Sequence, residues 1–125
     1  MIKSYTDLEV YQRSHEAALK IHRVSMAFPS YEQYELGSQL RRATKSVPLN
    51  IAEGYGKRSS EAEFKRYLLM AIGSCEEVRA QLAFCKDLGH ISQEEYGAFE
   101  AEYIELGKML TGLARNWKTR PPKGT

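Results

Sequence analysis

Arg41, Arg42 and Lys45 are spaced so that a helix through them carries the cations on the face opposite Leu40, Ala43 and Val47. Lys57 and Arg58 follow in the segment Gly54-Tyr55-Gly56-Lys57-Arg58-Ser59-Ser60, and Lys65 and Arg66 come next. A set of this kind can neutralise phosphates. The segment adds amides at a helix start, two glycines that admit a ligand to the backbone, and the Tyr55 ring, which can stack on a base. The chemistry on offer is anion or nucleic-acid binding, with Arg41, Arg42, Lys45, Lys57 and Arg58 on phosphate and Tyr55 stacking. A solvated basic surface accounts for the same residues equally well. Nucleotide hydrolysis is excluded, because a Walker loop needs a glycine where Ile51 stands and a strand before it.

Other chemistry finds little support. His15 and His22 lie seven apart on one helical face, His90 falls in a connection, and Cys75 and Cys85 sit on an apolar line without C-x-x-C spacing. A metal site needs three or four converging ligands. The nearest match to a di-iron Glu-x-x-His motif, Asp87-Leu88-Gly89-His90, runs off the end of a helix. Carboxylates such as Glu76, Glu77 and Glu105 lie off the apolar seams and form an acidic solvated face, with no sign of the apolar pocket that acid–base work requires. Glu53 adjoins the basic segment, where pairing with Lys57 or Arg58 would order it. No catalytic residue, metal or cofactor is expected, and no enzymatic activity.

The elements that position these residues are helices. Among 125 residues, 42% are apolar and eight Tyr, four Phe and one Trp need a core, which suits one globular domain. Tyr96, Phe99, Tyr103, Leu106, Leu110, Leu113 and Trp117 step by alternating threes and fours, and Ser92 with Glu95 forms a capping box that starts this helix. A second stripe runs through Phe64, Ala71, Cys75, Val78, Leu82 and Cys85, from a Ser60/Glu63 capping box to a stop at Gly89. Leu36, Leu40, Ala43, Val47, Ile51 and Gly54 form a third, with a kink expected at Pro48. The first helix opens after Thr6 or Asp7, carries Val10, Ser14, Ala17, Ile21, Val24 and Phe28, and ends before Pro29. Short connections then predict an antiparallel up-down-up-down four-helix bundle over residues 1–117. The basic, proline-containing tail 118–125 is expected to be disordered.

Charge is uneven along this frame. Residues 1–40 sum to −1, 41–66 to +4, 67–107 to −6 and 108–125 to +5, so the net charge of +2 conceals two basic zones. Two cysteines make no disulfide framework, the start lacks a secretory apolar run, and no stretch is long and apolar enough for a membrane span. A cytoplasmic protein is expected.

A second set of apolar residues lies half a turn from the core lines. On the first helix these are Leu8, His15, Leu19, His22 and Met26; on the third, Leu69, Gly73, Ala80 and Phe84; Leu49 joins them from the second. Stripes at helical spacing mark a second contact surface. Leu8, Leu19, Met26, Leu49, Leu69 and Phe84 are therefore the expected interface of a homo-oligomer.

The blocks Asp7-Leu8-Glu9-Val10-Tyr11, Ser38-Gln39-Leu40-Arg41-Arg42-Ala43, Val47-Pro48-Leu49-Asn50-Ile51-Ala52-Glu53-Gly54-Tyr55-Gly56 and Phe64-Lys65-Arg66-Tyr67-Leu68 resemble the four-helix-bundle family of 23S rRNA intervening-sequence proteins. The resemblance spans roughly Asp7 to Trp117 and implies a small bacterial antiparallel bundle that assembles into a homopentameric ring. It also implies kinship with the accessory proteins of diversity-generating retroelements, which contact reverse transcriptase and nucleic acid. Two functions are consistent with the sequence: a non-catalytic homo-oligomer that binds RNA or DNA through the basic zone, and an adaptor that recruits a protein partner such as a reverse transcriptase.

Overall fold

The structure, a computed structural model, describes residues 1–118; the tail beyond Lys118, with its expected disorder, lies outside the described residues. A 3-10 turn over Tyr5–Asp7 leads into α1 (Glu9–Ser25), the single turn α2 (Ser30–Gln33), α3 (Leu36–Gly56), α4 (Glu61–Asp87) and α5 (Gln93–Asn116). Among the described residues there is no strand. The four long helices form an all-α bundle.

Local chemistry sets the boundaries. At the start of α5, Ser92 Oγ accepts from the Glu95 amide at 3.0 Å while Glu95 Oε1 accepts from the Ser92 amide at 2.9 Å, the reciprocal box its sequence predicts. At α4, Ser60 Oγ accepts from the Glu63 amide, but the Glu63 carboxylate turns to Arg66 at 3.0 Å and leaves the box half made. The Arg66 guanidinium holds the Glu63 carboxyl below its ordinary value. Gly89 closes α4 with φ +81°, a left-handed conformation that glycine adopts without a Cβ clash. α3 runs through Pro48 without interruption; the ring nitrogen has no hydrogen to give, so the Thr44 carbonyl loses its usual donor.

Each core stripe is turned inward. Ile21, Val47, Ile51, Phe64, Leu68, Val78, Leu106 and Leu110 have no solvent exposure. α3 packs most extensively on α4, and α4 on α5, while α1 and α5 meet sparingly and are bridged by Arg13 and Glu102 at 2.8 Å. Cys75 and Cys85 are buried, and desolvation pushes their thiols up to about 12 and about 11. The native thiols should therefore resist alkylation at about pH 8 and react once denaturant opens the core. The same shifts fix a pH trend: folded values above the unfolded value near 9 leave stability intact below about pH 9 and erode it as the pH climbs through 11 to 12. Denaturant melts across that range check this trend.

Candidate functional site

The residues expected to bind phosphate do not gather on one surface. Arg41 turns inward at the junction of α1, α2 and α3, where Nη1 donates to Ser25 Oγ at 2.9 Å and Nη2 to the Gln33 carbonyl at 2.6 Å. Gln33 in turn donates from Nε2 to the carbonyls of Ser25 at 3.0 Å and Phe28 at 2.8 Å, satisfying acceptors that the end of α1 leaves open. Arg41 is thus engaged as a structural clamp. Arg42 and Lys45 remain exposed on the outer face of α3.

Tyr55 is turned inward as well. α3 continues to Gly56, so Tyr55 is helical, four residues after Ile51, and faces the core. It is 4% exposed, edge-on to Phe64 and Trp117, and covered by the Arg58 guanidinium 4.1 Å from its ring centre, which leaves no face for a base. The spacing from Ile51 was the available signal. Lys57, exposed beside it, donates to Tyr67 Oη at 3.0 Å, and Tyr67 Oη donates to Glu53 Oε2 at 2.8 Å. The Tyr67 oxygen raises the Lys57 ammonium above its ordinary value. Glu53 approaches Lys57 at 4.0 Å across the exposed end of α3.

One arrangement was not legible from spacing. Arg58 and Lys118, which belong to the two separate basic stretches, line a single broad groove of about 990 Å³ at one end of the bundle, together with Ile2, Tyr55, Ser59 and Trp117. At the other end, His90 Nε2 lies 2.8 Å from Glu32 Oε2, packed against Phe28 and Tyr31, and pins the α4–α5 connection to the α2 turn. Among the described residues, no three His, Cys, Asp or Glu side chains come together as a metal site would require.

The outer apolar residues fall largely where the helical projection puts them. Leu19, Met26, Leu49, Leu69 and Phe84 are exposed. Leu8 is the exception at 6% exposure: it precedes the helix with extended backbone (φ −75°, ψ 124°), so the 3-10 turn rather than the α1 period aims it into the core. Between α1 and α3 the outer residues border a groove of about 260 Å³.

The sequence pattern of 23S rRNA-intervening sequence proteins matches residues 6–112. The chain belongs to that family. Its bundle superposes with a TM-score of 0.79 on a crystal structure from Bacteroides thetaiotaomicron, described as a protein of unknown function from the S23 ribosomal protein family. The identity is 22%, over 86% of this chain and 96% of that one, which supports the shared fold. No curated protein matches the chain. Family membership thus accounts for the bundle, and no helix among the described residues is long and apolar enough to cross a membrane.

Proposed function

We propose that the chain is a non-catalytic, self-associating cytoplasmic scaffold that holds nucleic acid on its basic end. The convergence of Arg58 and Lys118 on one groove carries this reading, because two basic stretches far apart in sequence combine into one positive surface. A single copy offers few phosphate contacts and would bind weakly. Repeating the same end around an assembly, the ring of five that the family resemblance implies, makes each later contact intramolecular and multiplies affinity without any new residue.

Fluorescence anisotropy with a labelled single-stranded RNA tests this. Affinity should fall steeply as salt rises, and Arg58→Glu with Lys118→Glu should cost about tenfold or more and flatten the salt slope by about two contacts. Undetectable binding, or binding indifferent to salt, defeats the reading. Tyr31, Tyr34 and Leu88 favour a second one: exposed near the His90–Glu32 pin, they form an apolar end suited to a protein partner. An adaptor of that kind would retain a protein partner after nuclease treatment.

A further inference from the structure

α4 is apolar on two opposite faces. One enters the core through Phe64, Leu68, Ala71, Cys75, Val78 and Leu82. The other points to solvent as a ridge of Leu69, Gly73, Ala80 and Phe84, with Leu69 62% and Phe84 61% exposed. Glu77 stands exposed in the middle of that ridge, with no ion-pair or hydrogen-bond partner among the described residues. A Cβ added at Gly73 would meet nothing within 4 Å, so nothing inside one copy calls for a glycine there, where it weakens the helix.

The groove between α1 and α3 is the counterpart. Buried Ala18 and Pro48 form its floor, Leu19 and Leu49 rise beside them at 39% and 65% exposure, and His22 and Lys45 stand at its edge. Lys45 also has no partner among the described residues. A ridge interrupted by one anion and a groove edged by one cation are complementary in both polarity and charge.

We propose that the α4 ridge of one copy seats in the α1/α3 groove of a second copy, with Glu77 placed opposite Lys45. This rests on the self-association reading and adds which faces meet. The two faces differ, so the contact is head-to-tail; each copy offers both faces, and the contact can repeat from copy to copy. Gly73 then has a use, since its missing side chain lets the neighbouring helix approach. The basic end with Lys57 and Arg58 stays outside the contact.

Sedimentation velocity on the full chain tests the pairing. The unaltered protein should sediment as an oligomer. Glu77→Lys and Lys45→Glu each bring like charges face to face and should raise the dissociation constant at least tenfold, about 1.4 kcal/mol. The double reversal should restore assembly, whereas Phe84→Asp should dissociate it and stay dissociated in the Lys45→Glu background. Circular dichroism should show native helicity throughout, because all three side chains are exposed. A single-chain mass for the unaltered protein would overturn self-association itself. An oligomer that ignores the single reversals, or that the double reversal fails to restore, would overturn the ridge-in-groove pairing and leave self-association standing.

Discussion

Leu110→Asp is expected to abolish the cooperative helical melt at neutral pH, and acidification is expected to bring part of it back. Leu110 has no solvent exposure and lies in the core cluster with Leu106 and Tyr103. The substitution removes about 2–3 kcal/mol of apolar burial and places a carboxylate where nothing can pair with it. The group escapes its charge only by taking a proton, so its folded pKa rises above the unfolded value near 3.9. A raised folded pKa means that the native state binds more protons in that window, so stability falls as the pH rises through it. A shift of about three units costs about 4 kcal/mol, and with the lost burial the total approaches the 5–15 kcal/mol that holds an ordinary domain together. Thermal melts near pH 4 and pH 7 check this, with Leu110→Ala as a control that loses stability at both. A neutral-pH melt within a few degrees of the parent would refute the buried position of α5.

That core position was legible because it follows from a regular period. Tyr103, Leu106 and Leu110 repeat at threes and fours, and burial tracks the repeat. Helix starts were legible for a related reason: a cap is decided within three residues, as at Ser92 and Glu95. Where two nearby groups compete for one carboxylate, the local rule weakens, and Glu63 chose Arg66 over the Ser60 amide. Leu8 shows the limit of the period itself, since a 100° step describes nothing before the helix has begun.

The basic zone was less legible because cations look alike in sequence while their partners are tertiary. Arg41 became a clamp only because α2 brings Gln33 back over the end of α1, and nothing in the spacing of Arg41 and Arg42 separates the two roles. His90 and Glu32 meet across 58 positions, and Arg58 meets Lys118 around a groove that exists only once α5 has packed beside α4. The outer apolar residues sit between these cases. Their exposure was readable from the helical period, but the pairing of a ridge with a groove required knowing that Leu19 and Leu49, on different helices, border one depression.

Gly54→Ala is expected to lower the melting temperature, although the same change at Gly97 or Gly107 should raise it. A Cβ built at Gly54 would lie 2.5 Å from Tyr67 Cβ and 3.2 Å from Phe64 Cδ1. The nearer atom is bound directly to the α4 backbone, so no rotamer change relieves the clash; α3 and α4 must separate. Overpacking of this kind costs about 1–3 kcal/mol or more, against about 1 kcal/mol gained from replacing glycine in a helix. Separation would also strain the Lys57–Tyr67–Glu53 chain, which spans the same two helices. Gly97→Ala and Gly107→Ala provide the contrast, because a Cβ at either position meets nothing within 4 Å. Each should gain about 1 kcal/mol, a rise of about 4 °C, while Gly54→Ala falls and Gly54→Val falls further. Melts of the variants by circular dichroism decide the matter. If Gly54→Ala gains stability as the other two do, then α3 and α4 do not approach as closely as the Gly54–Tyr67 contact requires.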